Sequence, residues 1–79
     1  IMKKIIGNKK YRVISTDILV RLDYGYGDFG MIKTVFKVQV KKSFLWITIK
    51  EFEETDEDDV EFCKREAVEL YNKIVNPYG

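Results

Sequence analysis

Apolar residues recur every three or four positions in the last third of the chain, which is the spacing of one face of an α-helix. These positions are Val60, Cys63, Ala67, Leu70 with Tyr71, and Ile74. Thr55, followed three residues later by Asp58, resembles a capping box and predicts the helix start. Asn76 before Pro77 predicts the helix end, because proline disfavours helical geometry in the preceding residue. We expect one C-terminal helix, about 30 Å long at 1.5 Å per residue.

Before this helix, apolar and polar residues alternate with the period of two that is typical of β-strands. Residues 32–42 and 44–53 are the two clearest strands, joined by a tight turn at residues 41–43. Residues 11–24 also alternate, although residues 15–17 are polar enough for a bulge or a turn that would divide this strand. Gly7 and Asn8, between two strand-like pieces, predict a two-residue turn and therefore an N-terminal hairpin strand.

Three glycines alternate with aromatic and acidic residues between positions 24 and 30. We expect a hairpin loop there, because glycine weakens strands and permits positive φ. The spacing matches G-x-G-x-x-G, but no βαβ unit surrounds it, which argues against a phosphate-binding loop. A contact patch for a partner is the alternative, and its aromatic residues would be Tyr24, Tyr26 and Phe29.

The tight turn between the two clearest strands sets an expected register. Pairing Val40 with Leu45 aligns three apolar pairs on one face, which we expect the helix to cover. The predicted core face consists of Ile18, Val20, Leu22, Phe36, Val38, Val40, Leu45, Ile47 and Ile49. The opposite face is then basic and aromatic. Its candidate partner-binding residues are Lys33, Val35, Lys37, Lys41, Phe44, Trp46 and Phe52.

The predicted fold class is α+β, with all 79 residues in a single small domain. It consists of an antiparallel β-meander of three main strands, an N-terminal hairpin strand, and one C-terminal α-helix packed on one face. A chain of this size buries only about 60% of its extended surface, so we expect modest stability.

The net charge of +1 conceals a strong asymmetry along the chain. Residues 1–50 carry eleven Lys or Arg and three acids, whereas residues 51–79 carry three Lys or Arg and ten acids. The two halves either compensate each other and face water, or one of them is a docking surface. An acidic surface of this kind can occupy the nucleic-acid groove of another protein. Its candidate residues are Asp56, Glu57, Asp58 and Asp59.

Catalytic chemistry finds little support in this composition. The chain has no histidine, which excludes Ser-His-Asp and Cys-His arrangements and any zinc site that needs histidine. Cys63 lies in the apolar stripe of the helix, where we expect a buried, inert thiol. The carboxylates lack the spacing of a calcium loop. We therefore predict a non-enzymatic protein with no catalytic residues, no metal site and no cofactor.

Two functions remain as hypotheses. The first is a protein-interaction module, because an open aromatic sheet face needs cover from a protein partner or from self-association as a homodimer. The alternative is binding of single-stranded nucleic acid, in which lysines alternate with stacking aromatic rings on the same face. The chain has no long apolar stretch and no recognisable signal peptide, so we expect a cytoplasmic protein without a membrane partner.

Overall fold

The computed structural model describes the backbone of residues 2–24 and 27–78, and the side chains of these residues except for 21–29. Four strands, β1 (Met2–Gly7), β2 (Tyr11–Tyr24), β3 (Gly27–Lys42) and β4 (Leu45–Glu54), precede one helix, α1 (Glu57–Val75). The strands form one antiparallel sheet in the order β1-β2-β3-β4. This is the predicted α+β fold, including the N-terminal hairpin strand.

The hydrophobic core lies between α1 and one face of the sheet. Val13, Phe36 and Val38 from the sheet are buried together with Ala67 and Tyr71 from the helix. Further apolar residues pack against this cluster: Ile5, Ile6, Tyr11, Phe52, Val60, Cys63, Leu70 and Ile74. All the residues of the predicted helical stripe therefore contact the core, which confirms the periodicity of the helix.

The sequence assigns the alternating residues of β2 to the wrong faces of the sheet. Val13 pairs with Val38 and faces the helix, whereas Ile18 pairs with Lys33 and lies on the helix-free face. The helix-free face nevertheless contains buried residues, because Val35 is only 1% exposed. Ile14 and Gln39, on the same face, are 4% and 7% exposed.

The register between β3 and β4 also differs from the prediction. Lys42 pairs with Leu45, two residues later along β3 than expected, and Ser43 at the turn has a φ of 56°. A β-bulge between Val38 and Gln39 then gives β4 one extra residue and exchanges its two faces. Leu45 and Ile47 thus lie on the side of Val40 but closer to the turn than expected, and the bulge leaves Ile49 without a partner in β3. All three are exposed, so their assignment to the core is wrong.

The two ends of α1 are fixed by neighbouring polar groups. Asp56, rather than Thr55, is the N-cap, and its side chain accepts a hydrogen bond of 3.1 Å from the backbone N–H of Asp58. Asn76 is the C-cap, as its position before Pro77 predicts, and its backbone N–H donates to the carbonyl oxygen of Asn72 at 2.9 Å.

The predicted glycine loop is largely strand. β2 runs without a break, and it pairs with β3 as far as Tyr24 opposite Gly27. Gly30 suits this position because an added Cβ would lie 3.2 Å from Cδ1 of Leu19. β1 pairs with β2 only as far as Thr16, and β4 pairs with β3 only from Thr34. Residues 17–24 and 27–33 therefore project as a two-stranded ribbon, which we call the arm, from a molecule 53 Å long.

Candidate interaction surfaces

The basic and aromatic face that the sequence predicts is not assembled. Phe52 packs on the helix side, and Val35 is too deeply buried to contact a partner. Nζ of Lys33 lies 2.8 Å from Oε2 of Glu53, and Lys37 stands directly opposite Glu51. The shifted register and the bulge in β4 are the cause, because they set Glu51 and Glu53 opposite Lys37 and Val35, where the expected register has Thr48 and Lys50.

Part of the predicted face survives near the turn between β3 and β4. Lys41 pairs with Trp46, and the guanidinium of Arg12 lies 4.1 Å from the centre of the Trp46 ring. Nε of Arg12 donates to Oε1 of Gln39 at 2.7 Å, and Nε2 of Gln39 donates to Oγ1 of Thr48 at 3.2 Å. This part of the helix-free face is therefore a polar and aromatic surface held in place across three strands.

The fold brings two lysine pairs from distant parts of the sequence to one end of the sheet. Lys9 and Lys10 lie in the β1–β2 turn, where Oδ1 of Asn8 accepts from the backbone N–H groups of Lys10 and Tyr11 at 2.8 Å. Lys41 and Lys42 close β3, and the backbone N–H of Lys41 donates to the carbonyl oxygen of Lys10 at 2.7 Å. We call these four exposed lysines, together with Phe44, the basic end.

The arm is the second unusual surface. Leu19 and Ile32 face each other on the helix side of the arm, and each is 64% exposed. Ile18 and Met31 are also exposed, on the opposite side. Within the described backbone, no further strand pairs with either edge of the arm. The predicted contact patch falls at its tip, where Tyr26 and the side chains of Tyr24 and Phe29 lie outside the described residues.

The acidic run lies beside the arm. Asp56, Glu57, Asp58 and Asp59 are exposed at the start of α1, where negative charge is favourable for the helix dipole. An open groove of about 790 Å³ separates the helix start from the arm. Its lining combines apolar and acidic groups: Asp17, Gly30, Ile32, Thr34, Thr55, Glu57, Asp58, Val60 and Glu61.

Groups with chemical reactivity are scarce in the described part of the chain. Partial burial, and after it the negative charges of Glu54, Asp59 and Glu66, raise the pKa of the Cys63 thiol, which disfavours the nucleophilic thiolate. No group of three cysteine or carboxylate side chains within residues 2–20 and 30–78 is arranged to hold a metal ion. Among the same residues, no helix is long and apolar enough to cross a membrane.

Comparisons with known proteins found no match among protein-family models, curated proteins or solved structures. The candidate surfaces therefore depend on the geometry alone. Sequence reasoning did not select Ile32, and it placed Leu19 on the open face of the sheet, whereas Leu19 lies on the helix side. It also did not select Lys9, Lys10 or Lys42, because these lysines form a cluster only when the β1–β2 turn lies beside the β3–β4 turn.

Proposed function

We propose that this protein is a non-catalytic protein-interaction module, and that the arm with the adjoining groove is its docking surface. The observation that carries this function is the Leu19–Ile32 pair, directly cross-strand and 64% exposed at both residues. A two-stranded ribbon is marginally stable in water by itself, so apolar side chains on both of its sides favour contact with additional protein.

The chemistry of the groove indicates what a partner would present. Ile32 and Val60 supply apolar surface, whereas Asp17, Glu57 and Asp58 supply negative charge within the same groove. A segment with apolar and basic residues complements both features, and complementary charge increases the rate of association. An extended segment is favoured further, because the edges of the arm present backbone N–H and carbonyl groups that a β-strand can pair with.

The partner is either another protein or a second copy of the chain. Capture from cell extract identifies the first, and sedimentation velocity of the purified protein identifies the second. We expect the double substitution Leu19→Ser and Ile32→Ser to abolish whichever association the wild-type protein shows. Both side chains are largely exposed, so the fold should survive, which far-ultraviolet circular dichroism checks.

A matched control comes from Leu45, which is 71% exposed at the opposite end of the sheet. Leu45→Ser removes an equally apolar side chain without touching the arm, so it should leave the association intact. Equal binding by all three proteins, or equal loss in the two variants, would contradict docking at the arm.

Binding of single-stranded nucleic acid through the whole helix-free face is less well supported. Lys33 and Lys37 each have a glutamate beside or opposite them, and a glutamate near a phosphate opposes its binding. Docking of a protein at the arm does not depend on Lys33 or Lys37. Protein interaction is therefore the preferred function.

A further inference from the structure

The basic end is a local cluster of positive charge on a chain whose net charge is only +1, and it lies apart from the arm. Its four lysines come from two segments of the chain, of which Lys10 and Lys41 are 31 positions apart in the sequence. A backbone hydrogen bond of 2.7 Å joins these two residues. The ion pair found among the described side chains, Lys33 with Glu53, lies elsewhere on the sheet. The lysines of the basic end are exposed, so their ammonium groups are available to an anionic ligand.

The acidic run is too distant to oppose such a ligand. β4 separates the basic end from the start of α1, and its ten residues span about 30 Å at 3.3 Å per residue. Screening at physiological salt limits the interaction of exposed charges to about 8 Å. A phosphate at the basic end would therefore experience the lysines and not the carboxylates of the acidic run.

An aromatic ring stands beside the lysines. Phe44 occupies the β3–β4 turn and is 95% exposed, so both faces of its ring are open to a ligand. The neighbouring surface continues through Trp46 with its stacked Arg12, and through the hydrogen bonds of Gln39. Cations with exposed aromatic rings bind single-stranded nucleic acid, because unpaired bases offer rings for stacking while phosphates contact the cations.

We propose that the basic end binds single-stranded nucleic acid, with its four lysines on backbone phosphates and Phe44 stacked on a base. The site differs from the face predicted by the sequence, since it includes Lys9, Lys10 and Lys42 and excludes Lys33, Lys37 and Phe52. It is also separate from the arm, so it goes beyond the proposed docking function and does not depend on it.

The test is the fluorescence anisotropy of a labelled single-stranded oligothymidylate of about 12 nucleotides, titrated with protein at several salt concentrations. Four phosphate contacts predict a slope of about −2.8 in a plot of log affinity against log salt, so affinity falls about 50-fold between 50 and 200 mM salt. Phe44→Ala should weaken binding by about fivefold or more without changing that slope.

Two double variants with the same charge change separate the basic end from the sheet face. Lys41→Gln with Lys42→Gln should reduce the slope to about −1.4 and weaken binding strongly at low salt. Lys33→Gln with Lys37→Gln should leave both the affinity and the slope close to wild type. Leu19→Ser, which tests the arm, should not affect this assay, so failure here and failure of the docking function are distinguishable.

Three outcomes would overturn the assignment of this site. The first is an absence of oligonucleotide binding at 50 mM salt, and the second is equal loss of binding in the two lysine variants. The third is selective binding to vesicles that contain phosphatidylserine. Lysines beside an exposed Phe44 and Leu45 also suit an anionic lipid surface, and vesicle binding without oligonucleotide binding would assign the basic end to a membrane instead.

Discussion

The contrast between Val38 and Ile47 tests the observed register of β3 and β4. Both residues belong to the core face that the sequence predicts, but Val38 is fully buried and Ile47 is 46% exposed. Val38→Ala removes two buried methyl-sized groups, worth about 1.6 kcal/mol at 0.8 kcal/mol each. A residual cavity of roughly 40 Å³ would add about 1 kcal/mol, which gives a total loss of about 2.5 kcal/mol.

Ile47→Ala removes more atoms but should cost less free energy. About half of the side chain already contacts water, and the space that it leaves opens to solvent, so no closed cavity forms. The expected loss is about 1 kcal/mol. The free energy of unfolding of a domain of this size is roughly 4–12 kcal/mol, at about 0.05–0.15 kcal/mol per residue, so both variants should remain folded.

Urea denaturation followed by far-ultraviolet circular dichroism measures both free energies of unfolding. Emission from Trp46, which is partly buried against Arg12, provides a second probe of the same transition. A larger loss for Ile47→Ala than for Val38→Ala would refute the register, because it would place Ile47 in the core opposite Val38, as the register expected from the sequence requires.

Three further predictions concern the helix cap, the glycine at the end of β1 and the thiol. Asp56→Ala should lower the free energy of unfolding by about 1 kcal/mol, measured by urea denaturation, because it removes the N-cap. Thr55→Ala should lower it much less, and the reverse order would contradict Asp56 as the cap. Gly7→Ala should destabilise the fold more than Gly30→Ala, since its added Cβ would lie 2.9 Å from Cβ of Arg12, whereas that of Gly30 meets a flexible side-chain end. The raised pKa of Cys63 predicts alkylation that accelerates with pH around a midpoint above that of a free cysteine, about 8.5, and a midpoint below it would contradict the burial of the thiol.

The sequence is informative where a single periodicity decides the structure. The spacing of Val60, Cys63, Ala67 and Leu70 leaves one way to bury an apolar stripe, and the helix follows it. The order of the strands and the presence of the N-terminal hairpin are also predictable, because each strand is bounded by its own turn residues.

The β3–β4 register and the faces of β2 depend on tertiary contacts that the alternation does not encode. Ile47, Thr48 and Ile49 alternate as regularly as any strand, so nothing in that stretch indicates the bulge. Gly30 likewise suggests a loop until the position of Leu19 across the ribbon is known. The candidate surfaces inherit these errors, since the neighbours of Lys33 and Lys37 depend on the register of β4.

The meeting of the two lysine pairs is a further result that only the topology reveals. Lys10 and Lys41 are adjacent because β2 and β3 pair along their whole length. This pairing places the β1–β2 turn next to the β3–β4 turn at one end of the sheet. No local pattern in either turn predicts this arrangement.

Site-specific photo-crosslinking in cells that produce the protein tests docking at the arm most directly. A photoreactive amino acid replaces Ile32 on the arm in one variant, and in the other it replaces Phe62, which is 56% exposed on the helix. We predict protein adducts, with a second copy or with another protein, from position 32 and not from position 62. No adduct from position 32, or the same adducts from both positions, would contradict the arm as the docking surface.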